Sequence, residues 1–148
     1  MLDTVLWVIG VGGVGLLWYI ARPQQLTPPS ESLKEIPKPI VIKPENLDEI
    51  LSNQKENIFL LDVRSQKEFK KGQKIDAAHN VPVSFIMYKI KTIPRDKKIV
   101  AICASGNRSL TASSLLLMQG FADVVTLEGG MNAWLAYKKI SKTGVPTS

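Results

Sequence analysis

The chain has 148 residues, the length of one ordinary globular domain, and 45% of them are hydrophobic and 22% charged. Its single cysteine and single histidine exclude an internal disulfide framework, a CxxC redox pair and a standard zinc site. The formal net charge is +6, but the lysines are scattered and are not interleaved with aromatic residues, so nucleic acid is not an expected partner.

The first segment of the chain is an uncharged, mostly apolar run at residues 4–21. As a helix this run would reach about 27 Å, close to the hydrocarbon thickness of a bilayer. Trp7 and Trp18 lie near its two ends, as in the aromatic belts of membrane helices. A cleaved signal peptide would need a basic start, and Asp3 is the only charged side chain there. The sequence therefore predicts a transmembrane anchor at residues 1–21.

Residues 22–39 are predicted to be a linker, because five prolines and few bulky apolar residues favour a semi-extended spacer. A helix of the protein core would be expected to join its domain through a shorter loop. Arg22, Lys34 and Lys38 follow the apolar run, and basic residues favour the cytoplasmic side. We therefore expect a single-pass membrane protein whose C-terminal domain, residues 40–148, lies on the cytoplasmic or stromal side.

The C-terminal domain alternates between strand-like and helix-like segments. Short apolar runs predict strands at 40–42, 58–63, 79–81, 99–102 and 124–127. Helical patterns between them predict helices at 45–51, 65–71, 84–91, 109–119 and 131–139, with a capping box formed by Ser65 and Glu68. This alternation predicts an α/β fold, an open parallel sheet of about five strands with helices on both faces.

The candidate site is the loop that follows the fourth strand, where ligands of such sheets bind. A thiolate between a strand and a helix N-terminus meets free backbone N–H groups and the positive end of the helix dipole, and both lower the pKa of a cysteine. Arg108 adds a fixed positive charge that could hold the loop or meet an anion. The alternative is an inert buried cysteine beside a surface arginine. The predicted nucleophile and anion cradle are Cys103, Ala104, Ser105, Gly106, Asn107 and Arg108.

Four motifs in residues 40–146 resemble those of single-domain rhodaneses. They are Leu61-Asp62-Val63-Arg64 with Glu68-Phe69, the segment from Gly72 to Asn80-Val81-Pro82, the C-x4-R loop with Ser109 after it, and Leu127-Glu128-Gly129-Gly130 with Trp134. The related phosphatase and arsenate-reductase domains carry C-x5-R instead. The sequence departs from the rhodanese pattern at Gln73, where the family has histidine, and near Lys74, where one residue is inserted.

The resemblance implies a sulfurtransferase of rhodanese-like fold. Cys103 would take a sulfane sulfur from a small anionic donor such as thiosulfate and pass it to cyanide or to a thiol acceptor, for example on a thioredoxin-like protein. No metal or organic cofactor would be needed, and Arg108 would orient the loop and favour anionic donors. By the same resemblance, Asp62, Arg64 and Glu68 would be framework charges, while the sole histidine, His79, would be structural or on the surface.

Two other classes of function remain open from the sequence. A rhodanese fold tethered to a membrane could be a non-catalytic docking module. Cys103 could also act as a redox sensor through its sulfenic acid, although the chain has no second cysteine to resolve it.

Overall fold

The computed structural model describes residues 36–53 and 57–143. The predicted anchor at 1–21, and the predicted linker up to residue 35, lie outside these residues. Within the described ranges, no helix is both long enough and apolar enough to cross a membrane. Residues 36–39 have no regular secondary structure, and the first strand begins at Ile40.

Strands and helices alternate along the described residues, as predicted. In chain order they are β1 (Ile40–Ile42), α1 (Pro44–Asn53), β2 (Ile58–Asp62), α2 (Gln66–Lys71), β3 (His79–Asn80), α3 (Ile86–Lys89), β4 (Lys98–Ile102), α4 (Asn107–Met118), β5 (Val124–Leu127) and α5 (Gly130–Thr143). The predicted capping box is present at the start of α2, where Ser65 and Glu68 bond each other's backbone N–H groups.

The sheet has the order β1-β5-β4-β2-β3, and every neighbouring pair is parallel. This confirms the predicted five-stranded parallel sheet. β4 lies at its centre, paired with β2 through Asp62 opposite Ile102 and with β5 through Thr126 opposite Ala101. All strands point the same way, so their carboxyl ends meet at one edge of the sheet.

Two apolar layers cover the two faces of the sheet, because successive residues of a strand point to opposite faces. On one face Leu60, Val100 and Val125 pack with residues of α1 and α5. On the other face, the alternate residues of the same strands, such as Ile99 and Val124, pack with Cys103 and with residues of α3 and α4, including Ala112 and Leu116. The prediction of helices on both faces is therefore confirmed.

The predicted helix at 84–91 is α-helical over only half of its length. Only Ile86–Lys89 is α-helical, and 3₁₀ turns at Val83–Phe85 and Ile90–Thr92 flank it. Phe85 and Lys89 have ψ angles of 0° and 6°, which interrupt the α-helical backbone. The interrupted path still buries Ile86 and Ile93 in the core.

Candidate active site

Cys103 follows β4 directly, at the carboxyl edge of the sheet. The backbone N–H of Val63 donates to the carbonyl of Ile102 at 2.8 Å, which ties the end of β4 to β2. Cys103 is fully buried, with 0% of its surface exposed, and it packs in the apolar layer on the α4 side. The thiol therefore has a fixed place at the one edge of a parallel sheet that receives ligands.

A tight turn brings backbone N–H groups to the cysteine sulfur. The N–H of Gly106 donates to Cys103 Sγ at 3.1 Å. Gly106 is the N-cap of α4 with φ of +100°, a left-handed conformation that favours glycine. Because the turn is completed at Gly106, α4 begins at Asn107 and not at Ser109 as predicted, and Arg108 lies in the first helical turn.

The surroundings of Cys103 act on its pKa in opposite directions. Burial raises the pKa of the thiol, because it disfavours the charged thiolate. The Ser109 hydroxyl and the backbone N–H groups of the loop, of which that of Gly106 bonds the sulfur, lower it, and together they outweigh burial. The pKa of Cys103 is therefore held below its ordinary value, in the direction that the sequence predicts, and the thiolate is favoured.

The N-terminus of α5 holds the loop from the other side. Met131 N–H donates to the carbonyl of Cys103 at 2.8 Å, and Asn132 N–H donates to that of Ala104 at 3.0 Å. Gly130, with φ of +59°, lies so close to these carbonyls that a Cβ there would fall 2.8 Å from the oxygen of Ala104. Two helix N-termini, those of α4 and α5, thus meet at the cysteine loop.

Arg108 is bound at both of its terminal nitrogens by one carboxylate. Its Nη1 donates to Glu68 Oε2 at 2.9 Å and its Nη2 to Glu68 Oε1 at 2.7 Å. The Arg108 guanidinium holds the pKa of Glu68 far below its usual range. In turn, Glu68 raises the pKa of Arg108, and the Cys103 sulfur adds a smaller effect in the same direction. This bidentate ion pair between Glu68 and Arg108 joins α2 to the first turn of α4.

A second charged pair lies one strand away from the cysteine and is buried. Arg64 Nη2 lies 2.7 Å from Asp62 Oδ2 and also donates to the carbonyl of Gln73 at 3.0 Å. The side-chain amide of Asn80 donates to the carbonyls of Asp62 and Arg64 at 3.0 and 2.8 Å. These contacts fix the turn between β2 and α2, and hence the position of the helix that carries Glu68.

Of the predicted loop residues, Gly106 contacts the Cys103 sulfur through its backbone N–H, and Arg108 bonds Glu68. The side chains of Ser105 and Asn107 are exposed. His79 is exposed and stacks on the ring of Phe59 at 4.4 Å, in agreement with a structural role. Whether the loop binds a sulfur donor stays a prediction.

Sequence reasoning misses three contributors to this site. The family resemblance makes Glu68 a framework charge, although it binds Arg108. Ser109 and Thr126 are buried polar residues whose hydroxyl groups contact each other beside the cysteine loop. The one signal for Thr126 in the sequence is its place as the single polar residue in the apolar strand Val124–Leu127, on the same face as Val124.

Comparison with known proteins gives a consistent result for these residues. The rhodanese-like domain family matches residues 43–137. A sulfurtransferase of Allochromatium vinosum is 36% identical over 93 residues, which are 63% of this chain and 85% of that protein. The thiosulfate sulfurtransferase GlpE of Shewanella oneidensis is 33% identical over 78 residues, which are 53% of this chain and 76% of that protein.

Among solved structures, a rhodanese-related protein from Thermoplasma volcanium is similar, with a TM-score of 0.60 and 35% sequence identity. The similarity covers 66% of this chain and 92% of that one. The fold, the cysteine loop and these matches agree, and this chain belongs to the family of rhodanese-like domains, with relatives that are named sulfurtransferases.

Proposed function

We propose that this protein is a sulfurtransferase that moves a sulfane sulfur from a donor such as thiosulfate to a thiol or cyanide acceptor through a persulfide on Cys103. The observation that carries the proposal is the contact of the Gly106 N–H with Cys103 Sγ at 3.1 Å. A sulfur that accepts N–H groups and has a lowered pKa is prepared to be a thiolate nucleophile.

In the first step the Cys103 thiolate attacks the outer sulfur of thiosulfate. A bond forms between Sγ and that sulfur, the S–S bond of the donor breaks, and sulfite leaves with the electron pair. The persulfide that remains on Cys103 carries the negative charge on its outer sulfur. The N–H groups of the loop and the two helix N-termini stabilise this charge.

In the second step an acceptor thiolate or cyanide attacks the outer sulfur of the persulfide. The new bond forms to the acceptor, the S–S bond to Cys103 breaks, and its electron pair returns to Sγ as a thiolate. The acceptor leaves as a persulfide, or as thiocyanate when it is cyanide. The acceptor thiol can be a small molecule or a protein such as a thioredoxin-like one, because the chemistry needs only a thiophilic nucleophile.

One observation favours the alternative of a non-catalytic docking module. Cys103 has no exposed surface, and buried structural cysteines are inert. For catalysis the loop must therefore open, or the side chain must turn, when the donor arrives. Neither movement is needed by a docking module.

Intact-mass analysis after incubation with thiosulfate separates the two functions. We expect a gain of one sulfur atom, located on Cys103 by peptide mapping and removed again by cyanide. A chain that keeps its original mass with thiosulfate and with an organic thiosulfonate would favour the docking module. A gain of oxygen on Cys103, seen only after peroxide, would favour the redox sensor.

Glu68→Gln tests whether the ion pair limits the use of anionic donors. The Glu68 carboxylate accepts hydrogen bonds from both terminal nitrogens of Arg108, so it largely neutralises the charge of the guanidinium. The neutral amide should free that charge, and we expect kcat/KM for doubly charged thiosulfate to rise about threefold or more relative to that for a singly charged thiosulfonate.

Glu128→Gln is the matched control for this prediction. Glu128 is exposed and lines the same side of the loop as Ser105 and Asn107, so its replacement changes the local charge by the same amount. It leaves the pair of Arg108 with Glu68 intact. An equal change of donor preference in both variants would mean that general charge, and not the release of Arg108, sets the preference.

We also propose that residues 1–21 anchor this domain in a membrane, with the domain on the cytoplasmic or stromal side. The support is the uncharged apolar run at 4–21 and the basic residues that follow it. Removal of residues 1–22 should move the protein from the membrane fraction to the soluble fraction after alkaline extraction, while its thermal unfolding stays the same. A truncated protein that aggregates would show that the segment belongs to the core.

A further inference from the structure

A cleft opens at the end of β3, and the transfer steps described above do not use it. Its volume is about 630 Å³, within the range of clefts that bind ligands. Asn80, Val81 and Pro82 line it at the end of β3, and Phe85 and Lys89 line it from the segment that contains α3. The cleft therefore lies at the edge of the sheet that receives ligands.

The charge around this cleft is positive. Of the nine residues that line it in the described part of the chain, three are apolar, five are polar and uncharged, and one, Lys89, is charged. Lys91 follows two positions later and is exposed, and the sequence has no acidic residue from Ala77 to Arg95. A ligand of this cleft is therefore expected to carry negative charge.

Large apolar side chains are exposed next to the cleft. Phe85, Met87 and Tyr88 are 57%, 47% and 83% exposed, although their neighbour Ile86 is fully buried. Lys89 Nζ lies 5.8 Å from the centre of the Tyr88 ring. Aromatic residues and methionine are enriched in protein interfaces, and adjacent exposed apolar residues of this kind mark a binding surface.

One side of the cleft leads to the ion pair of the candidate site. Ser65 lines the cleft, and its hydroxyl donates to Glu68 Oε2. The same oxygen accepts a hydrogen bond from Arg108 Nη1 at 2.9 Å. The acidic residue nearest to this side is thus paired with Arg108, and it leaves the positive charge of Lys89 unopposed.

Backbone hydrogen bonds join the segment of the cleft to the cysteine strand. Val83 N–H donates to the carbonyl of Val63 at 3.2 Å, and Val63 N–H donates to the carbonyl of Ile102, the residue before Cys103. β2 lies between β3 and β4, so the end of β3 is two strand spacings, about 10 Å, from the end of β4. A protein that covers the cleft can reach Cys103 with a side chain of its own.

We propose that Phe85, Met87, Tyr88, Lys89 and Lys91, together with the cleft, form a docking surface for a protein acceptor whose thiol lies in an acidic segment with apolar residues. The inference rests on the proposed function, because the acceptor takes its sulfur from the Cys103 persulfide. An apolar side chain of the acceptor enters the cleft beside Phe85, and its carboxylates face the two lysines.

The distribution of these residues favours a protein over a small molecule or a lipid. Met87 and Tyr88 do not line the cleft, so a small molecule that filled it would leave both exposed. The polar lining groups of the cleft, including those of Ser65, Asn80 and Thr92, require hydrogen bonds that lipid chains do not offer. A protein surface supplies apolar, polar and negatively charged groups together.

The first test uses the full chain loaded with sulfur from thiosulfate and a pair of synthetic peptides. Each peptide carries one cysteine among leucines, with glutamates in one peptide and lysines in the other. Cyanide is the reference acceptor, because it is too small to touch the docking surface while it attacks the persulfide. We expect kcat/KM relative to cyanide to be about tenfold or more higher for the acidic peptide than for the basic one.

Variants of the docking surface locate this preference. Lys89→Glu and Tyr88→Ser should each lower the preference for the acidic peptide by about fivefold or more. Lys139→Glu and Met118→Ser are the matched controls, since both residues are exposed and lie in α5 and at the end of α4. Equal reaction of the two peptides, or an equal loss in the controls, would overturn the proposal.

A second measurement separates the docking surface from the proposed function. The acidic peptide, with serine in place of its cysteine and with a fluorescent label, should bind the wild type, and Lys89→Glu should weaken the binding by about fivefold or more. This result in a protein that gains no sulfur from any donor would remove the sulfurtransferase role and keep the surface. A protein that gains sulfur but binds the labelled peptide no better than Lys89→Glu does would keep the role and overturn the surface.

Oxidation of Met87 tests the surface against a lipid. The full chain is placed in vesicles that contain phosphatidylserine and treated with peroxide, and the rates for Met87 and for exposed Met118 are each compared with those in detergent. We expect the same ratio for both residues. Protection of Met87 alone would assign the patch to the membrane surface and overturn the protein acceptor.

Discussion

Cys103→Ser should abolish sulfur transfer and leave the fold unchanged. The chain has no other thiol, and a serine hydroxyl is neither ionised at neutral pH nor reactive toward sulfane sulfur. We expect the mass gain on incubation with thiosulfate to disappear, and the rate of thiocyanate formation to fall by at least about three orders of magnitude.

The fold should tolerate this change because the serine oxygen can accept the Gly106 N–H that now bonds the sulfur. We expect the free energy of unfolding to change by no more than about 1 kcal/mol. Transfer that persists in the serine variant would refute the assignment of Cys103. Transfer lost together with the cooperative unfolding transition would show only that the protein no longer folds, so both quantities must be measured on the same preparation.

Gly130→Ala should be strongly destabilising and should also disturb the cysteine loop. The backbone of Gly130 has a φ of +59°, which costs an alanine about 1 kcal/mol or more. The new Cβ would also overlap the carbonyl oxygens of Cys103 and Ala104. These oxygens accept the N–H groups of Met131 and Asn132, so their displacement breaks two hydrogen bonds.

Together, the backbone strain, the overlap and the lost hydrogen bonds should lower the free energy of unfolding of Gly130→Ala by more than about 3 kcal/mol, a large share of the stability of a small domain. Denaturant unfolding measures this loss of stability. A loosened loop should also give faster alkylation of Cys103 at high pH, where the Cys103 thiol is fully ionised and its pKa no longer affects the rate. Loss of less than about 1 kcal/mol would contradict the close packing of α5 against the loop.

Gly120→Ala is the matched control for the backbone conformation. Gly120 also has a positive φ, of +81°, but the atom nearest to a methyl group added at this position would be Arg95 Nη1 at 3.8 Å. Alanine there should cost only the backbone strain, about 1 kcal/mol, and leave the reactivity of Cys103 as in the wild type. The difference between the two variants measures the contact of Gly130 with the cysteine loop.

The parts of the fold that the sequence predicts well depend on neighbours in the chain. The capping box of Ser65 and Glu68 is predictable because its hydrogen bonds span three residues. β2 and β4 are predictable because strands buried on both faces are continuous apolar runs. The segment around α3 is predicted only in part, because Ile86–Lys89 is α-helical as expected but 3₁₀ turns replace the α-helix on both sides of it.

The candidate site shows the same division. The position of Cys103 after a buried strand, the glycine turn and the C-x4-R spacing are readable in the sequence, since all of them lie within the eleven consecutive residues from Lys98 to Arg108. The contacts beside the cysteine loop join residues far apart: Arg108 is 40 positions from Glu68, and Ser109 is 17 positions from Thr126. Only the sheet order, which puts β5 on one side of β4 and β2 with the following α2 on the other, decides which carboxylate neutralises the arginine and which hydroxyl reaches the serine.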